Sequence, residues 1–131
     1  MRKNLAPCLF AGVLFIATAL PAWADVAGVW HLTGNFGGKS FAMDCRFTPG
    51  QQQFGGTCAS TPDNPHAKPG EPRVLTRGAI SGNQVRWAYK VHMLLVAIEI
   101  NFAGTLVADH INGTISAVGK SAPFTAVRSS S

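Results

Sequence analysis

Four histidines, six carboxylates and three cysteines hold nearly all the acid–base, metal-binding and redox chemistry open to this 131-residue chain. The histidines are His31, His66, His92 and His110; the carboxylates are Asp25, Asp44, Asp63, Glu71, Glu99 and Asp109. A zinc site needs ligands at short, recognisable spacings. The chain has no His-x-His, no HExxH and no cluster of cysteine with histidine. General acid–base catalysis wants paired carboxylates or a base in a cleft. Asp44, Glu99, His31 and His92 instead fall on the polar side of alternating segments, and Asp109-His110 reads as a turn. No serine sits in a nucleophile elbow. The inventory calls for no catalytic residue, no metal and no cofactor, and it leaves an enzyme as a minor reading.

The cysteines point to a compartment. Arg2 and Lys3 precede an apolar run, Leu9 to Leu20, and Pro21 and Ala22-Trp23-Ala24 follow it. That order reads as a cleavable export signal over residues 1–24. The run of 12 is too short to cross a hydrocarbon core about 30 Å thick. Cleavage would leave 107 residues, 25–131, as a single domain with no membrane-spanning helix, and would lower the formal charge from +5 to +3. The remaining cations are scattered rather than clustered, which argues against nucleic acid. Cys8 would leave with the signal, so Cys45 and Cys58 remain for one disulfide in the periplasm or outside the cell.

The elements that must position these residues are strands. Trp30, Leu32 and Phe36 alternate with polar residues. So do Phe41, Met43, Cys45 and Phe47, then Val85, Trp87, Tyr89, Val91 and Met93, then Val96, Ile98, Ile100 and Phe102. Period two with one apolar face marks half-buried strands. Turn residues separate eight of them, at 26–36, 40–48, 52–59, 73–81, 84–93, 96–108, 110–118 and 122–128. The expectation is an all-β fold, an eight-stranded antiparallel up-and-down meander closed into a barrel. Cys45 and Cys58 share the inward parity of neighbouring strands, which predicts a disulfide across them.

Two segments break the pattern. Residues 59–73 carry four prolines and read as a loop, either a solvated insertion or a lid. Met93-Leu94-Leu95-Val96 falls where a turn belongs yet contains no Gly, Pro, Asn or Asp. An apolar turn at a barrel end suggests contact with a protein partner, a second copy, a ligand entrance or a membrane surface.

Both ends of the strand plan resemble a known group. Gly28-Val29-Trp30 resembles the Gly-x-Trp that opens lipocalin and avidin chains. Arg128, closing Phe124-Thr-Ala-Val-Arg128, resembles the basic residue that covers this tryptophan in calycins. Gln53-Phe-Gly-Gly-Thr57 and Val85-Arg-Trp87 look closer to avidin proportions than to lipocalin ones. The resemblance implies that Gly28, Trp30 and Arg128 close the barrel; no biotin-site residues carry over. Ala27-Gly-Val-Trp30 with a later disulfide is also similar, more weakly, to bacterial metalloprotease inhibitors. Those act through an N-terminal segment, here Asp25-Val26, although the cysteine spacing is short for that family.

Eight strands enclose room for side chains or for one small ligand. The leading expectation is an exported, non-enzymatic barrel that binds a small apolar molecule between Trp87, Tyr89, Phe41, Met43 and Phe102. The alternative is a protein-binding module such as a periplasmic protease inhibitor. A barrel filled by its own rings is the third possibility.

Overall fold

The computed structural model describes residues 25–62 and 66–130. The expected leader lies outside the described residues. Eight strands follow in order: β1 (Gly28–Phe36), β2 (Lys39–Phe47), β3 (Gly56–Ser60), β4 (Arg73–Ser81), β5 (Gln84–Met93), β6 (Val96–Val107), β7 (His110–Ala117) and β8 (Lys120–Ser130). Each pairs antiparallel with the next, and β8 returns to β1, so the sheet closes into a barrel. The ladder therefore has no free edge running its whole length.

The alternation of residue types explains the strands, and the turns explain their order. Gly37 and Gly38 make the β1–β2 turn at φ +63° and +82°, a left-handed pair that glycine adopts without strain. Odd-to-even connections gather at one end, here the mouth: Gly37-Gly38, the loop after Ser60, Leu94-Leu95 and Val118-Gly119. The opposite end, the base, holds the even-to-odd connections together with the start of β1 and the end of β8.

One strand differs from expectation. β3 begins at Gly56 rather than at residue 52. The backbone of residues 52–54 crosses to β4 instead: Phe54 N–H donates to Gly78 O at 3.0 Å, and Ile80 N–H to Gln52 O at 2.9 Å. A pairing with a distant strand has overridden the local alternation. β3 and β4 then share only two register pairs, Thr57↔Val74 and Cys58↔Arg73.

The inward residues form one cluster. Trp30, Leu32, Val85, Trp87, Phe102, Ile111, Phe124 and Ala126 are all within 2% of complete burial. Each large apolar side chain so buried contributes about 1.5–3 kcal/mol. Cys45 and Cys58 sit directly opposite each other in the β2–β3 register and form a disulfide inside this cluster.

Candidate functional site

The base is built as a clasp. Trp30 lies inside β1 with its Nε1–H donated to Val26 O at 2.8 Å. Arg128 faces it from β8, its guanidinium carbon 4.6 Å from the ring centroid. The same guanidinium donates to Asp109 Oδ1 at 2.8 Å, Ala27 O at 2.6 Å and Asp25 O at 2.9 Å. Gly28, between them, adopts φ +120°, which L side chains rarely adopt. Residues 25–28 are thereby folded across the barrel floor, and Val26 is buried. The arrangement is structural: each of the three guanidinium nitrogens donates to a protein oxygen.

Above the clasp the interior is filled with rings. Trp87 stacks on Phe102 with centroids 5.0 Å apart and planes 6° from parallel. Phe47 meets Trp87 at 4.9 Å and Phe54 at 5.0 Å, and Phe124 meets Phe102 at 5.5 Å. Two of the five expected ligand contacts, Trp87 and Phe102, thus form the centre of a packed core. Met43 and Tyr89 lie at its mouth-ward edge, where the Tyr89 hydroxyl donates to Met43 Sδ at 3.8 Å. Burial raises the Tyr89 pKa above the ordinary 10.0, while the nearby Arg73 charge works in the opposite direction. Phe41 is only half-buried. The Trp87 Nε1–H is buried with no protein acceptor. Such a donor in a nearly dry core costs about 1–3 kcal/mol unless something else accepts it.

The mouth has a different character. Phe36, Phe41, Val91, Ile100 and Ala122 are half-buried and rest on the core from above. Strand parity already turned Phe36, Val91 and Ile100 inward. Phe36 ends β1 and Val91 lies near the end of β5, positions that would have marked them as mouth residues, whereas Ile100 lies within β6 opposite Tyr89. Beside them a cleft of about 260 Å³ lies between the end of β3, the segment entering β4, and β5. Ser60, Glu71, Arg73, Tyr89 and Val91 line it, so apolar wall and charged groups meet there. A broader, open groove of about 590 Å³ runs past Phe41, Ser60 and Thr61.

The expected contact residues Met93–Val96 occupy the most prominent feature of the mouth. β5 and β6 pair as far as Met93↔Val96. The β6–β7 register begins only at Asn101↔Ser116, and the β4–β5 register reaches only Leu75↔Tyr89. Lys90–Met93 and Val96–Glu99 therefore pair with each other alone and project as a two-stranded ribbon. At about 3.3 Å per residue it stands roughly 13 Å beyond the shared ladder. Leu94 and Leu95 at its tip are fully exposed, and Met93 and Val96 are 57% and 59% exposed.

Elsewhere the polar pairs lie on the outer wall. His31 Nδ1 and Asp44 Oδ1 are 2.7 Å apart, and Arg77 donates to Glu99 and Asn101 at 3.1 and 2.7 Å. Among the described residues no group of three or more His, Cys, Asp or Glu could hold a metal ion.

No protein-family model and no curated protein matches the chain. Solved structures do match its fold. A redesigned β-barrel superposes with a TM-score of 0.59 at 12% identity, over 79% of this chain and 90% of the other. The redesigned barrel mFAP1, bound to DFHBI, gives 0.55 at 11% identity, over 79% and 94%. Identities this low establish the fold alone: a small β-barrel, which in this chain is closed, eight-stranded and antiparallel.

Proposed function

We propose that this chain is an exported, non-enzymatic binding barrel that takes a small apolar molecule at its mouth. The supporting observation is the ring of half-buried apolar side chains, Phe36, Phe41, Val91 and Ile100, packed above a filled core. The ligand then rests on Tyr89 and Met43 as a floor, against the inner face of the ribbon, instead of threading down to Trp87 and Phe102. A cleft of about 260 Å³ is below the usual 300–1,000 Å³ of a ligand pocket, so the molecule is small or is held partly exposed. That a barrel of the same fold is bound to DFHBI is a precedent for ligand at this architecture. The disulfide and the leader-like start support export.

The inhibitor reading finds less support, because Asp25–Ala27 is tied down by Arg128 and Trp30. The test is titration with the environment-sensitive dye anilinonaphthalene sulfonate, together with native mass spectrometry of the purified protein. Saturable enhancement is expected, with a carboxylate in the apolar wall (Val91→Asp) weakening it tenfold or more. No saturable binding and no co-purified molecule would overturn the reading.

A further inference from the structure

The mouth carries a second feature that ligand binding does not require. Charge is distributed along the barrel axis. All four lysines of the described residues lie at the mouth end and are exposed: Lys39 after the β1–β2 turn, Lys68 in the loop before β4, Lys90 on the ribbon, and Lys120 after the β7–β8 turn. Arg73 adds a fifth cation. The carboxylates of the described residues at that end are Glu71 and Glu99, and Glu99 is already engaged by Arg77. Within this basic ring stand the most exposed apolar side chains among the described residues, Leu94 and Leu95, with Val118 at 75% on the neighbouring hairpin.

The backbone at these tips is independently odd. Leu94 has φ +57° and Val118 has φ +52°. Glycine, asparagine or aspartate is the usual occupant of such positions, and a β-branched residue there is an outlier. Two hairpins at the same end thus hold large apolar side chains in water on turns that disfavour them. Ala108, in the β6–β7 turn at the base, has a similar φ of +54°, so what sets the mouth tips apart is the size and exposure of Leu94 and Val118.

We infer that the mouth end docks on an anionic phospholipid surface. Leu94 and Leu95 enter the interface as the point of the projecting ribbon, Val118 follows at the second tip, and Lys39, Lys68, Lys90 and Lys120 face the headgroups. The ribbon extends past the last register pairs of both neighbouring strands, and the acyl boundary lies about 5–10 Å below the headgroups. Lysines near a charged membrane act within a Debye length of about 8–10 Å. A second copy of the chain is a poor occupant of the same face, since mouth-to-mouth contact sets two ends against each other in which cations outnumber the carboxylates Glu71 and Glu99.

The experiment is co-sedimentation of the purified protein with vesicles. One set is an equal mixture of phosphatidylglycerol and phosphatidylcholine; the other is phosphatidylcholine alone. Expected is binding to the anionic vesicles that exceeds binding to the neutral ones at least tenfold and falls as salt rises. Leu94→Asp with Leu95→Asp should lose that binding tenfold or more, and aspartate tolerates the left-handed turn, so the ribbon persists. Lys39→Glu with Lys120→Glu should flatten the salt dependence. Tryptophan at the tip (Leu95→Trp) should shift its emission to the blue on anionic vesicles only. Equal binding to both lipids, no binding, or no effect of the tip variants overturns the inference. So does a concentration-dependent dimer that the tip variants abolish, which would assign the tip to self-association. Dye binding measured on the Leu94→Asp/Leu95→Asp variant keeps this inference separate from the ligand reading, because Val91, Phe41 and Tyr89 are untouched.

Discussion

At the scale of the residue, the base shows how one side chain substitutes for a whole covering element. Arg128 holds two backbone carbonyls, one carboxylate and one indole face at once. Its side chain is only 16% exposed, so water competes poorly for these contacts. Arg128→Ala should cost about 2–4 kcal/mol in urea unfolding, from lost charge-assisted hydrogen bonds and the cation–π contact. Arg128→Lys keeps the charge but not the planar fork, and should recover about half of that. A loss below about 0.5 kcal/mol would show the clasp to be no better than an exposed ion pair. Gly28, Trp30 and Arg128 could be picked out in the chain because a Gly-x-Trp and a late arginine are sequence objects. The carbonyls of Asp25 and Ala27 as their partners were not, since backbone acceptors leave no mark in residue types.

At the scale of the element, strands were legible and their relative heights were not. Period-two alternation placed most strand ends within two residues, because one buried face constrains every second side chain. It failed at 52–55, where the partner is β4 and not the adjacent β2. It also showed an apolar tip at Met93–Val96 without showing that the tip projects, since projection depends on where β7 stops against β6. The same two strands carry a second hidden constraint. Gly104 and Gly113 face each other in the β6–β7 register. A Cβ on Gly113 would run into the Ala103 carbonyl oxygen, and one on Gly104 would come within 2.8 Å of Asn112 O. The pair lets two backbones approach closely. Gly113→Ala should therefore cost more than about 3 kcal/mol or prevent folding, since backbone has to move. Gly119→Ala is the matched control: its Cβ meets open space, and only φ +76° opposes it, so about 1 kcal/mol is expected. Equal losses for the two in chemical denaturation would mean that the close approach carries no weight.

At the scale of the whole molecule, the barrel has an axis with unlike ends and one weak seam. The base is sealed by Arg128 and Trp30, the middle is packed with rings, and the mouth is apolar and basic. Whether the inward rings filled the barrel or lined a cavity lay beyond the sequence. Parity says which residues point inward but not which of them meet, and only the closed sheet brings Trp87 onto Phe102. The seam is β3, five residues long and joined to β4 by two register pairs. Two register pairs hold it loosely to β4, while the disulfide fixes it covalently to β2. In the chain-entropy account a loop of this length stabilises by about 2–3 kcal/mol, and reduction should remove that amount from the unfolding free energy. The loss should also be local. Amide exchange in the reduced protein should accelerate first in residues 56–60 and 73–75, while β5–β8, with their long ladders, stay protected. The cleft beside Ser60 and Arg73 shares that seam, so its shape should loosen with it, and dye binding at the mouth should weaken on reduction before the barrel unfolds. A uniform rise in exchange around all eight strands would show instead that the barrel opens only as a whole, and that the disulfide stabilises every strand alike.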